Sequence, residues 1–147
     1  AHRAIPVNIM MTPPAGPANV EGYFADVKLL TDESLLVHTN HCLCPDRTSI
    51  NDEYPELIQS VPRLQRMTKL LSDLVPDCKL TIQQLQSMLS DHENYPQSIC
   101  RHQNADAQHG FWSTVFSIVM DPTAREMYVS RGNPCEKSFE CYDFLDC

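Results

Sequence analysis

Apolar positions along this chain change their spacing twice. Ile5 to Met11 is an apolar run and predicts a buried strand. The segment Pro13-Pro14-Ala15-Gly16-Pro17-Ala18-Asn19 punctuates it as a turn. Val20 to Leu30 reads as one further extended stretch, with Tyr23, Phe24, Val27 and Leu29 as its strand formers. Thr31-Asp32-Glu33-Ser34 has turn chemistry, and Leu35 to Thr39 reads as a third strand that delivers Asn40 and His41 at its end. Three short strands joined by tight turns predict an antiparallel meander.

The period then lengthens. Cys42 to Pro55 is polar and reads as a loop. A helix is predicted from near Ser60, with Pro62 in its first turn, where a missing N–H is harmless. Leu64, Met67, Leu70, Leu71 and Leu74 form its apolar face, Arg63, Arg66 and Lys69 line the other side, and Pro76 ends it. A second helix opens at Thr81, with Gln84 as capping-box partner and Ile82, Leu85, Met88 and Leu89 as its stripe. Phe111 to Met120 is the strongest strand signal. Asp121-Pro122-Thr123-Ala124 turns it back into Glu126 to Ser130, and Phe139 to Leu145 reads as a short last strand. Strands, two helices, then strands make an α+β chain without internal repeats.

At 147 residues, with 42% hydrophobic and 20% charged positions, the chain has the size and composition of one globular domain, residues 1–147. The net charge of −8 and the lack of a basic stripe exclude nucleic-acid binding as a main function. No run of apolar residues is long enough to span a membrane. Seven cysteines, an odd number at irregular spacing, argue for reduced thiols in a cytoplasmic protein rather than a disulfide scaffold.

Candidate chemistry concentrates in His38-Thr39-Asn40-His41-Cys42-Leu43-Cys44. Two His and two Cys so close together invite a metal, but strand alternation sends His38, Asn40 and Cys42 one way and Thr39 and His41 the other. The four ligands do not converge, so no metal is expected there. Cys42 beside His41, and Cys100 beside Arg101 and His102, read as structural thiols, because sequence neighbours on a strand face opposite sides. Asp73, Asp77, Asp91 and Glu93 read as solvated surface charge. Arg101 follows the apolar pair Ile99-Cys100 and is placed to bind a carboxylate bidentately.

Four ordered blocks carry a resemblance. His38-Thr39-Asn40-His41-Cys42-Leu43 is the first, and Arg63-Leu64-Gln65-Arg66-Met67 the second. Asp91-His92-Glu93-Asn94-Tyr95-Pro96-Gln97-Ser98-Ile99-Cys100-Arg101 is the third, and Arg131-Gly132-Asn133-Pro134 the fourth. Together they resemble the C-terminal half of the isopenicillin-N N-acyltransferase family, a branch of the N-terminal-nucleophile (Ntn) cysteine hydrolases that includes an insect hydrolase of β-alanyl-dopamine. The resemblance implies part of an αββα sandwich. It implies an autocatalytic cleavage that exposes a cysteine, which attacks an amide carbonyl with its own α-amine as base.

By the same resemblance, Asn40 stabilises the oxyanion, Arg101 lies in the active-site region, and His38 and His41 support them. The nucleophile is expected upstream, because Ala1 has no nucleophilic side chain. Pro6 stands where the family often has a small polar residue. The expected function is therefore the C-terminal part of a cysteine hydrolase or acyltransferase, inactive alone and completed by its N-terminal part. Its substrate is a small acylated amine or amide, with acyl-coenzyme A or an amide as co-substrate and no resident cofactor or metal. The alternative is a non-catalytic binding or regulatory module derived from that family.

Overall fold

A computed structural model describes residues 7–23, 26–31, 35–53, 59–74, 80–107 and 110–144. Ile5, Pro6, the turn residues 32–34, Pro55, Pro76 and Leu145 lie outside these. The chain divides into two compact units, Ala1–Leu64 and Gln65–Cys147.

The first unit is built on a three-stranded antiparallel sheet, β1 (Val7–Met11), β2 (Ala18–Tyr23) and β3 (Asp26–Thr31), in that order. The stretch expected as one strand from Val20 to Leu30 is thus two strands paired with each other, Val20 opposite Leu29 and Glu21 opposite Lys28. No Gly, Pro or Asn lies between Tyr23 and Asp26 to mark the reversal. The predicted third strand, Leu35 to Thr39, forms no ladder. Side chains hold that segment instead, His38 Nε2 lying 2.6 Å from Glu21 Oε1. Among its described residues the polar run 42–55 contains the 3-10 turn Pro45–Arg47 and the four-residue helix α1 (Ile50–Glu53).

Antiparallel partners share a face. Val7, Ile9, Val20, Val27 and Leu29 therefore line one face of this sheet, and Val7, Ile9, Val27 and Leu29 on it are exposed. The opposite face carries Asn8, Asn19, Glu21 and Lys28, and on it Asn19 and Glu21 are buried. A sheet with a buried polar face and a bare apolar one inverts the usual arrangement.

Helix α2 (Val61–Leu74) carries Pro62 in its first turn as predicted, and Leu71 is its buried residue. In the second unit, α3 (Ile82–Leu89) opens with the predicted capping box: Gln84 N–H donates to Thr81 Oγ1 (3.2 Å) and Thr81 N–H to Gln84 Oε1 (2.8 Å). The second sheet is antiparallel, β4 (Phe116–Asp121), β5 (Glu126–Arg131) and β6 (Phe139–Asp143), and α3 packs on β4. Asp121 Oδ1 accepts from the N–H groups of Thr123 and Ala124 and shapes the predicted β4–β5 turn.

The predicted strand from Phe111 is shorter than expected. Its ladder starts at Phe116, opposite Arg131. Beyond Arg131 the partner strand ends, because Gly132 at φ 114° turns the chain away. Phe111 and Trp112 stack on each other with ring centroids 5.0 Å apart. The order strands, helices, strands makes an α+β chain, as read from the sequence and consistent with part of an αββα sandwich. Among the described residues no helix is long and apolar enough to cross a membrane.

Candidate active site

The first unit is organised by Glu21. Strand β2 places its side chain on the polar face, opposite Asn8 in β1. The irregular segment 35–44 crosses that face and closes over the carboxylate. His38 Nε2 donates to Glu21 Oε1 at 2.6 Å, and both side chains are only 3% exposed. Leu43 N–H donates to the same oxygen at 2.9 Å. The other oxygen accepts from Cys44 N–H at 3.2 Å and from the Cys42 thiol at 3.3 Å. Four donors converge on an acceptor with about four lone-pair sites. The other edge of the His38 ring lies against the Asn8 amide and the Thr39 carbonyl.

Sequence reasoning passed over Glu21. The available signal was the alternation Asn19-Val20-Glu21-Gly22, which puts two polar side chains on one strand face. Asn51 was also missed. Its side chain bridges the Cys42 backbone twice, accepting from N–H at 2.8 Å and donating to C=O at 3.2 Å.

His41 is buried and turns the other way, toward Ser60, which is itself 1% exposed. Ser60 Oγ accepts from the His41 backbone N–H (3.1 Å) and lies 2.6 Å from His41 Nδ1. Thr39 Oγ1 is 3.0 Å from the same Nδ1. Burial lowers the His41 pKa, and the nearby His38 and Arg63 lower it further, against a small opposing effect of Glu21. His41 is thus held neutral, and its Ser60 partner is too buried to serve as a nucleophile.

Between these two histidines, Asn40 is exposed. Arg63, in the first turn of α2, donates from Nη2 to Asn40 Oδ1 at 2.8 Å and from Nη1 to the Gln59 carbonyl at 3.1 Å. The Asn40 amide is therefore fixed by its oxygen, and among the described residues its Nδ2 has no hydrogen-bond partner. Alternation predicted that Asn40 would share the side of His38 and Cys42. His38 and Cys42 do both face Glu21, but without a ladder to enforce the period Asn40 turns outward. Arg63 and Arg66, read from sequence as lining the side of the helix opposite its apolar face, are both engaged. Arg66 makes a two-pronged contact with Asp91 (3.0 and 2.6 Å) and a third bond to Glu93 (2.7 Å). Asp91 is thus an ion-pair partner and not free surface charge, and Arg66 holds its carboxyl below the usual carboxylate range.

Asn19 lies on the Glu21 face of β2, fully buried, and neither of its side-chain polar atoms finds a partner among the described residues. Arg101 lies in the second unit. Its backbone is clamped: N–H donates to Thr114 Oγ1 (2.9 Å), and the carbonyl accepts from Asn133 Nδ2 (2.6 Å) and Thr114 N–H (2.9 Å). Its side chain is half-buried, and that desolvation lowers the guanidinium pKa.

An exposed, pre-oriented amide donor beside a buried carboxylate–histidine brace is an arrangement suited to acyl-group chemistry. A profile described as acyl-coenzyme A:6-aminopenicillanic acid acyl-transferase matches residues 1–136, and the chain belongs to that family. It is 37% identical over 99 residues to the 40 kDa form of acyl-coenzyme A:6-aminopenicillanic-acid-acyltransferase from Emericella nidulans. That match covers 67% of this chain and 26% of the fungal protein, so the chain spans about a quarter of that relative.

Proposed function

We propose that this chain supplies the oxyanion-stabilising and substrate-holding part of a cysteine acyltransferase of the Ntn type, whose nucleophile comes from an upstream segment of the same enzyme. The observation that carries this reading is the Asn40 amide. Its oxygen is committed to Arg63, so its NH2 group is presented to solvent with a fixed orientation. In the reaction the upstream thiolate adds to an acyl carbonyl and the carbonyl π pair moves onto oxygen. Asn40 Nδ2–H donates to that oxygen. Collapse expels the leaving amine or thiol, which takes its proton from the nucleophile's α-ammonium group. The acyl-enzyme then passes its acyl group to an amine, a thiol or water.

His38 and His41 act as positioning residues that hold the segment carrying Asn40. Arg101 receives a carboxylate of the substrate, and a partly desolvated guanidinium suits that task. The fungal relative's name couples an acyl-coenzyme A donor to an amine that is also an acid, which matches this division of labour. Two further observations favour completion by more chain. Asn19 is buried and its side chain meets no hydrogen-bond partner among the described residues, which costs about 1–3 kcal/mol unless a partner arrives. The apolar face of the first sheet is bare, as a face awaiting a second layer would be.

The test is reconstitution. Coexpression with the preceding segment of the enzyme is expected to give turnover of acyl-coenzyme A or of a linear amide. Asn40→Ala then lowers kcat by ~100- to 1,000-fold with KM little changed. Arg101→Met raises KM for acid-bearing substrates. Full activity in Asn40→Ala refutes the oxyanion role. A reconstituted complex that binds substrate without turnover returns the chain to a non-catalytic binding module.

A further inference from the structure

Four side chains of the second unit converge on one point. His92 Nε2 and His102 Nε2 lie 3.0 Å apart, and Cys100 Sγ and Cys135 Sγ 3.6 Å apart. His102 Nε2 is 3.8 Å from Cys100 Sγ and 3.2 Å from Cys135 Sγ. All four donor atoms lie within 4.8 Å of one another. A tetrahedral zinc with Zn–S of about 2.3 Å and Zn–N of about 2.0–2.1 Å needs donor–donor edges of roughly 3.3–3.8 Å. The four edges above run from 3.0 to 3.8 Å, close to that range.

The surroundings are those of a ligand set. The other nitrogen of His102, Nδ1, faces Glu136 Oε1 at 3.7 Å, the carboxylate-behind-histidine arrangement that orients metal-bound imidazoles. Asn133 Nδ2–H points at Cys100 Sγ (3.6 Å), as N–H donors commonly do toward thiolates. Cys100 is completely buried. The backbone brings the ligands in from three places. His92 follows the end of α3. Cys100 and His102 flank Arg101, in a segment fastened by the bond from Cys100 N–H to the Asp91 carbonyl (2.9 Å). Cys135 arrives through the turn that Gly132 opens at φ 114°.

We propose that His92, Cys100, His102 and Cys135 form a structural zinc site. Two thiolates and two neutral imidazoles balance the charge of Zn2+, the two thiol protons leaving to solvent on binding. Four protein ligands leave no open position, so the ion acts as a staple and not as a catalyst. It ties the exit of α3 and the Gly132–Cys135 turn to the segment bearing Arg101. Spacing alone conceals the site, because its ligands do not form two close pairs of the finger or ribbon type.

The test uses the full chain and needs no acyl-transfer activity, so it stands or falls apart from the proposed function. Purified under reducing conditions and dialysed against metal-free buffer, the chain is expected to retain one zinc. Replacement by cobalt gives tetrahedral d–d bands and a thiolate-to-cobalt charge-transfer band. Cys135 is exposed, so Cys135→Ser leaves the core intact and is expected to weaken zinc binding beyond the ~10- to 100-fold typical of losing an outer-shell partner. Cys141→Ser, as a control, binds normally. If Cys135→Ser fails to fold by circular dichroism, the cobalt spectrum of the unaltered chain decides. A spectrum without thiolate bands overturns the proposal. So does zinc retained in a folded Cys135→Ser, or a reduced preparation of the unaltered chain that holds no zinc.

Discussion

Glu21→Gln isolates the group on which the candidate site is built. The change keeps the shape of the side chain and removes its charge. Oε1 now accepts from His38 Nε2 and Leu43 N–H, and Oε2 from Cys44 N–H and the Cys42 thiol. A glutamine offers one oxygen and one NH2. Wherever the NH2 is placed, it meets a backbone N–H: Leu43 on one side, Cys44 on the other. His38 can change tautomer and the Cys42 thiol can rotate, but a backbone donor cannot reverse. One buried donor is therefore orphaned, at about 1–3 kcal/mol, and the remaining bonds lose their charge assistance. The sum is about 2–4 kcal/mol, felt locally. Native-state hydrogen exchange reads it directly, because the Leu43 and Cys44 amides are themselves the donors. Their exchange is expected to accelerate by roughly 30- to 700-fold, with amides of β5 unchanged as an internal control. Unaltered protection at both Leu43 and Cys44 would refute the brace.

Two further outcomes follow from the same geometry. His41 has a folded-state pKa below its ordinary 6.5, so the folded state binds its proton less readily than the unfolded chain. Its contribution to stability is complete above 6.5 and is lost as pH falls from there toward the depressed folded value; denaturant titrations across this range should show that slope, and His41→Gln should flatten it. Thr81→Ala removes the capping box of α3 and is expected to cost about 1 kcal/mol in chemical denaturation of the second unit, while Thr12→Ala, in an exposed turn, costs nothing measurable.

Local chemistry was legible in the sequence. The capping box of Thr81 and Gln84 needs residues three apart, and the Asp121 turn needs an acceptor two and three residues ahead of its donors. The proline in the first turn of α2 obeys a local steric rule. These depend on bonds within one turn of chain, so the one-dimensional order determines them. The four ordered motifs likewise identified the family without any coordinates.

Only tertiary structure decided the rest. Val20 to Leu30 is two strands because β2 finds β1 and β3 as partners, a pairing no local signal announces. Leu35 to Thr39 has strand composition but pairs with no strand among the described residues, and it becomes a strap tied down by the His38–Glu21 contact. Glu21 itself is an unremarkable charge in sequence and becomes the centre of the site only when residues 38–44 fold over it. Asn40 points outward because Arg63, 23 positions on, takes its oxygen. Cys135 reaches Cys100 across 35 positions. Periodicity reports which face a side chain occupies relative to its neighbours in sequence. It carries no information on which distant segment will supply the hydrogen-bond partner or metal ligand across from it, because that choice is made by closing the whole fold.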